Sequence, residues 1–223
     1  KMEESEMKKR FISLVLAALL LVAVPLSAFA TSKFNTSVFD GRDDIISNTD
    51  DMTGKITIFP SSDYYGSIYV PLSSSAFIGV SAGIASNDYD DLFALIFDYT
   101  GIDWAGIESI IIKIGDNRYT FSDFYKSSYV TDEGLADEYI AFPLKKETLG
   151  FINDFCKHQN EEIKVRLNGS VQTFDFILSP SEKNAIVGLY SLYVSGGGTR
   201  ESNLRSISNE DATHVELNGK ILA

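Results

Sequence analysis

The sequence predicts an α+β domain that is mainly antiparallel β, folded as a sandwich or a meander sheet, with two short helices in its C-terminal half. Short strand-like runs occupy residues 55–59, 67–70, 76–85 and 92–99. The segments between them are rich in Pro, Ser, Asn and Asp, which favour turns. No helical period of useful length occurs before residue 145. We therefore expect strands joined by turns and not βαβ units.

A β-hairpin at residues 161–178 is the best-specified element. Asn168-Gly169 separates two alternating runs, and this dipeptide favours a two-residue type I′ turn. Such a turn would pair Leu167 with Ser170 and Ile163 with Phe174. One face of this hairpin would then be apolar, with Ile163, Val165, Leu167, Phe174, Phe176 and Leu178.

The hairpin leads into a helix predicted over residues 182–194. Ser179 and Glu182 form a capping-box pattern around Pro180, which suits the first helical position. An apolar stripe follows at helical spacing, made of Ile186, Leu189, Tyr190 and Tyr193. Three glycines at 196–198 end the helix. We expect this stripe to lie across the face formed by Ile163, Val165 and Leu167.

A second hairpin is predicted over residues 107–124. Ile110, Ile112 and Ile114 alternate, Asp116-Asn117 turns the chain, and the return strand would place Tyr119 opposite Ile114. A further strand at 138–143 and a short helix at 145–157 complete the pattern. Cys156 lies on the apolar stripe of that helix, so we expect a buried, unreactive thiol.

Residues 1–30 have the pattern of a bacterial signal peptide. A basic segment at 8–10 precedes an apolar core at 11–24, and Ala28-Phe29-Ala30 is a small-residue cleavage site. The sequence thus predicts a secreted or cell-envelope protein that is cleaved near Ala30, the alternative being an uncleaved anchor.

The remaining chain divides by composition into three segments. We predict a polar lead-in at 31–52, a single globular β-rich domain at 53–195, and a polar tail at 196–223 that begins with glycine. At the end of the tail we expect a strand or a small hairpin around Asn218-Gly219, which would have to join the main sheet.

The chain is acidic, with a formal net charge of −12 and one cysteine. Nucleic acid and anionic lipid would be repelled, so we predict neither as a partner. A single cysteine excludes an internal disulfide, and the core must stabilise the fold by itself.

Residues 79–83 match the G-x-S-x-G pattern of a serine hydrolase, with Ser81 as the nucleophile. That chemistry requires a sharp strand-to-helix turn, whereas turn-forming residues follow at 86–88. A secreted hydrolase, using Ser81 or an unidentified carboxylate pair, is the alternative function.

Acidic loops at 40–44, 48–51 and 88–91 contain oxygen ligands that suit Ca²⁺, but none has the EF-hand pattern. Two histidines and one cysteine form no zinc-binding pair. We therefore predict no metal site and no cofactor, and we assign no catalytic residue.

Aromatic residues outside the strand pattern are candidates for ligand binding. Trp104 lies in a turn between glycines, and Tyr64 and Tyr65 follow a turn-forming segment. The function predicted is that of an exported, non-catalytic binding or interaction module for a glycan, a protein or another component of the cell envelope. A structural role through an open strand edge is a further possibility.

Overall fold

The computed structural model describes residues 34–66, 69–86, 91–145 and 148–198, together with the strand backbone at 215–217 and 220–221. Its strands are β1 (Ile45–Thr49), β2 (Ile56–Pro60), β3 (Tyr69–Pro71), β4 (Ala76–Ser86), β5 (Asp91–Gly101), β6 (Ile107–Ile114), β7 (Asn117–Phe121), β8 (Tyr125–Val130), β9 (Ala136–Pro143), β10 (Ile163–Gly169), β11 (Thr173–Ile177), β12 (Val215–Leu217) and β13 (Lys220–Ile221). Its α-helices are α1 (Ser62–Tyr65), α2 (Leu149–Lys157) and α3 (Pro180–Ser195), and a 3₁₀ turn spans Thr36–Phe39. The predicted α+β class, rich in antiparallel strands and with two short helices in the C-terminal half, is confirmed.

The strands form two antiparallel sheets. The order in the first sheet is β1-β2-β4-β5-β9-β8, and β3 also pairs with β4. The order in the second sheet is β11-β10-β6-β7-β12-β13. The chain passes from the first sheet to the second after β5, returns at β8, and passes again after β9. Each sheet is therefore built from separated parts of the sequence.

One hydrophobic core joins the two sheets. Phe121 on β7 stacks on Phe142 on β9, with ring centroids 4.3 Å apart. Tyr99 on β5 meets Phe174 on β11 at 5.5 Å. Ile112 and Val165 are buried between these contacts and belong to the same cluster. The apolar faces of both predicted hairpins are thus used against the first sheet, as in a β-sandwich.

Helix α3 has the predicted cap but a different position. The Ser179 hydroxyl accepts a hydrogen bond from the Glu182 N–H, and the Glu182 carboxylate accepts one from the Ser179 N–H. The helix packs on β4 and β2, and Tyr190 and Tyr193 contact Phe93 of β5. The predicted position across Ile163, Val165 and Leu167 was wrong because the first sheet already covers that face.

Helix α2 closes the core beside β7. Its Phe151 contacts Tyr119 and Phe121 edge to face, at 5.0 Å and 4.9 Å between ring centroids. Cys156 is half-buried against the same core, and burial raises the pKa of its thiol to about 11. The thiol is therefore a poor nucleophile at neutral pH.

The pairing of both hairpins differs from the prediction, by four residues in the first hairpin and by two in the second. Leu167 lies opposite Phe174 and the turn residues are Ser170 and Val171. In the other hairpin Tyr119 lies opposite Ile112. Because the difference is an even number of residues, each side chain stays on the predicted face.

The folded region begins earlier in the chain than the predicted boundary at residue 53. Within the segment expected to be a loose lead-in, Ile45–Thr49 forms β1 and pairs with β2. Phe34 and Phe39 are buried, and the Phe34 ring lies 5.9 Å from that of Tyr193. These apolar residues are isolated in a polar segment, so no periodic pattern revealed them.

The C-terminal strands β12 and β13 pair with each other, and β12 pairs with β7. They flank Asn218-Gly219, where the sequence indicated a small hairpin added to the main sheet. Residues 1–30, predicted as a signal peptide, lie outside the described residues. Within the described part of the chain, no helix combines the length and the apolar character needed to cross a membrane.

Candidate functional site

Four loops meet at one end of the sandwich, which we call the loop end: residues 72–75, 102–106, 131–135 and 170–172. The sheet register brings the first three together, because Ala76 pairs with Gly101 and Gly101 pairs with Ala136. The fourth, the β10–β11 turn, joins them through hydrogen bonds. The Val171 and Gln172 N–H groups donate to the Ala105 carbonyl oxygen.

A buried ion pair holds the loop end in place. The Glu138 carboxylate accepts hydrogen bonds from the Gly106 N–H at 2.6 Å and from the Ile107 N–H at 2.9 Å. Its Oε2 also lies 2.5 Å from Lys126 Nζ, which donates to the Ile107 carbonyl oxygen. Burial opposes ionisation of Glu138, but Lys126 and the two N–H donors outweigh it and hold the pKa below its ordinary value.

Two further hydrogen bonds and a close backbone contact also hold loop 102–106. The Tyr99 hydroxyl donates to the Asp103 carbonyl oxygen at 2.8 Å, and the Ile102 N–H donates to the Ser75 carbonyl oxygen at 3.2 Å. A Cβ atom at Gly169 would lie 2.1 Å from the Ala105 carbonyl oxygen, so only glycine allows this approach of the two backbones. The loop is therefore held by the sandwich on several sides.

The loop end presents several large apolar side chains to the solvent. Ile102 is 64% exposed, Val171 is 65% exposed, and Val130 is 60% exposed. Trp104, one of the three residues singled out in the sequence, is 38% exposed. Large apolar side chains exposed on a rigid support are typical of contact surfaces for other molecules. Sequence reasoning identified Trp104 but missed its aliphatic neighbours, which come from three different segments.

Tyr64 and Tyr65 lie elsewhere, on α1 beside α3. Tyr64 is 60% exposed, and its ring packs against that of Tyr65 at 4.9 Å. Tyr65 lies against Gly188 of α3, and its hydroxyl donates to Asp44 at 3.3 Å. Burial raises the pKa of Tyr65 to about 12. Tyr65 therefore supports the packing of α1, and the three predicted binding residues are divided between two places.

Ser81 has no geometry for nucleophilic catalysis. It lies in the middle of β4, opposite Ile96, and it is fully buried. No strand-to-helix turn follows it, and its hydroxyl has no hydrogen-bond partner in the described part of the chain. His158 is hydrogen-bonded to Glu161 at the end of α2. The small residues around Ser81 have a packing role instead, since the Tyr69 ring covers Gly79.

The structure identifies a pair of carboxyl groups that the sequence could not reveal. Asp98 on β5 and Asp137 on β9 share one face of the first sheet, and both are buried. Each carboxyl group is close enough to perturb the ionisation of the other, and Asp137 accepts a hydrogen bond from the Thr100 hydroxyl at 3.1 Å. Two ionised carboxylates repel in a buried site, so this arrangement favours a form in which one of the two groups keeps its proton.

The surroundings of this pair favour its protonated form. Burial raises the pKa of Asp137 to about 6, and burial together with the charge of Asp137 raises the pKa of Asp98 well above its ordinary range. Tyr69 and Tyr139 lie close to Asp98, and Tyr129 lies opposite Asp137. The sequence signal was a charged residue within an otherwise buried strand, at Asp98 and at Asp137-Glu138.

No group of three or more His, Cys, Asp or Glu side chains is placed to bind a metal ion among the residues that the structure describes. No family model, curated protein or solved structure matches the chain.

Proposed function

We propose that the protein is an exported, non-catalytic binding module that acts at the cell envelope or outside the cell. The observation that carries the proposal is the loop end. Ile102, Trp104 and Val171 are exposed there on loops held by the sandwich, and Val130 is exposed at the end of β8. Export is supported by the basic, apolar and small-residue segments of residues 1–30. A preorganised apolar surface loses little entropy when it binds, so a small contact area can still give useful affinity.

A retention assay tests this proposal. Purified protein is mixed with isolated envelope material from its source cells, sedimented, and measured in the pellet and the supernatant. We expect saturable retention by the wild-type protein and a loss of roughly tenfold or more in affinity for Trp104→Ala, because truncation of a central aromatic residue in a contact surface costs about 2 kcal/mol. Met52→Ala is the matched control, because Met52 is 93% exposed in the β1–β2 turn, away from the loop end.

Two outcomes contradict the proposal. The first is the absence of saturable retention by the wild-type protein. The second is equal retention of Trp104→Ala and Met52→Ala, which would exclude the loop end. Tyr64→Ala is measured in the same assay. If this variant alone loses retention, the binding surface lies at α1 and not at the loop end.

A secreted hydrolase is the second candidate, and the protonated Asp98–Asp137 pair is the observation in its favour. Two carboxyl groups that share a proton can serve as an acid and a base. Against it, both groups are at most 5% exposed, and the small cavity lined by Leu95, Phe142 and Phe151 is apolar. Asp137→Asn should abolish hydrolysis of peptide or polysaccharide substrates if the pair is catalytic. Unchanged or absent hydrolysis in both proteins would leave the pair with a structural role.

A further inference from the structure

We propose that the partner of the loop end is a protein segment that is both cationic and apolar. This inference rests on the proposed binding function and specifies the chemistry of the ligand. It combines the exposed apolar side chains with the charges that surround them.

The charge of the loop end has a single sign. The loops and the adjoining strand ends span residues 72–75, 101–108, 130–136 and 168–173, and these segments contain four acidic residues and no Lys or Arg. The acidic residues are Asp103, Glu108, Asp132 and Glu133, and all four are exposed. Lys126, which lies beneath the loops, is paired with Glu138. The exposed apolar side chains therefore share their loops and strand ends with negative charges and with no Lys or Arg.

The combination of exposed apolar side chains and acidic residues favours one class of ligand. Anionic lipids, nucleic acids and acidic glycans would be repelled by four carboxylates. A neutral glycan would stack on aromatic rings, but Trp104 is accompanied by the aliphatic residues Ile102, Val130 and Val171. Aliphatic side chains with an acidic rim complement a protein segment in which Leu, Val or Ile alternates with Lys or Arg.

The chain contains a reporter for this interaction, because Trp104 is its only tryptophan. The probes are two synthetic peptides of equal length, one alternating Lys with Leu and the other alternating Glu with Leu. We expect a saturable change in Trp104 fluorescence with the Lys–Leu peptide and none with the Glu–Leu peptide. The apparent affinity should fall as salt is added, because the rim charges are exposed and screened.

Two variants distinguish the effect of the charges at the loop end from that of the overall negative charge of the protein. Asp103→Asn with Glu108→Gln and Asp132→Asn removes three of the four acidic charges, and it should weaken binding of the Lys–Leu peptide by roughly tenfold. Asp43→Asn with Asp51→Asn removes two exposed charges near β1 and should change the affinity by less than about twofold. Melting temperatures and circular dichroism establish that each variant is folded.

Equal weakening by both variants, or equal binding of both peptides, would overturn the inference. The envelope assay distinguishes this failure from that of the proposed function. If Trp104→Ala loses retention while the variant that lacks Asp103, Glu108 and Asp132 keeps it, the binding surface stands and the cationic partner is excluded. If Trp104→Ala is retained as well as Met52→Ala, the proposed function itself fails and the inference falls with it.

Discussion

At the scale of single residues, buried acids divide into two groups with opposite responses to pH. Glu138 and Asp44 are paired with Lys126 and Arg42, and their pKa values are lowered, so their contribution to stability is lost as the pH falls. For Asp98 and Asp137 the pKa is raised chiefly by burial. The folded protein holds their protons at pH values where the unfolded chain has released them.

The sign of the pH dependence of the carboxyl pair follows from these shifts. An ordinary aspartate releases its proton near pH 3.8, while the pKa of folded Asp137 is about 6. The stability contributed by protonated Asp137 is complete at low pH and is lost as the pH rises through about 6, and the more strongly raised pKa of Asp98 extends the loss to higher pH. Asp98→Asn removes one ionisable group and leaves an amide that can donate to Asp137. We expect this variant to be more stable than the wild type at pH 8, by on the order of 2 kcal/mol, with little gain at pH 4.

Urea unfolding of the wild type and of Asp98→Asn between pH 4 and pH 8 measures this difference in the free energy of unfolding. The exposed Asp51→Asn is the control, and its stability should follow that of the wild type at every pH. If Asp98→Asn is less stable than the wild type by the same amount at pH 4 and pH 8, the carboxyl pair does not keep a proton in this pH range.

At the scale of secondary-structure elements, the alternation of apolar and polar residues predicted correctly on which face of a strand each side chain lies. It could not determine which residues pair with each other across neighbouring strands. Ile163, Val165 and Leu167 are buried as expected, because the two-residue period of a strand is a local property. The register depended on the role of Gly169, which the sequence indicated as a turn residue. Its role is to approach the backbone of Ala105, 64 residues earlier in the chain. A contact so distant in sequence leaves no local pattern.

Two glycine-to-alanine substitutions test this explanation. At Gly169 a Cβ atom would meet two carbonyl oxygens, those of Ala105 and Gln172, at 2.1 Å and 2.5 Å. Because backbone atoms must move, Gly169→Ala should reduce the free energy of unfolding by about 3 kcal/mol. Gly150 in α2 has nothing within 4 Å of its Cβ position. Gly150→Ala should instead stabilise the protein by about 0.5–1 kcal/mol, through the higher helix propensity of alanine.

Chemical denaturation at a single pH measures the change in the free energy of unfolding for Gly169→Ala and for Gly150→Ala. A Gly169→Ala protein as stable as the wild type would mean that the β10–β11 turn is not held against loop 102–106. The fluorescence of Trp104 in the same samples shows whether the loop end has changed together with the turn.

The candidate site was the least predictable part of the molecule, because it too depends on contacts between residues that are distant in sequence. Trp104 stood out because its turn lacks an apolar period. The other exposed residues of the loop end, Ile102, Val130 and Val171, are ordinary strand-forming residues in their own segments. Only the meeting of four loops makes them a surface. The Asp98–Asp137 pair likewise depends on two strands that lie adjacent in the sheet and far apart in the sequence.

At the scale of the whole molecule, export is the property of the proposal that can be tested without a ligand. When the chain is expressed in bacteria with its N-terminal segment, we expect a mature protein outside the cytoplasm that begins at Thr31. Intact mass and N-terminal sequencing measure the cleavage position. Ala30→Lys should block cleavage because the site requires small residues, and Ala30→Ser is the control that should still be cleaved. Cytoplasmic protein that retains residues 1–30 in every variant would contradict export.

The repeated passage of the chain between the two sheets has a consequence for the speed of folding. Strand β6 pairs with β10, whose Gly169 lies opposite Ile107, and β5 pairs with β9 across an intervening hairpin of the other sheet. The first sheet is complete only when β9 is available, at Pro143, and the second sheet also needs the strands near the C-terminal end. Proteins dominated by such distant pairings fold in milliseconds to seconds and not in microseconds. Slow folding of this kind would suit the export that we propose, because a secretion channel takes chains that have not yet folded.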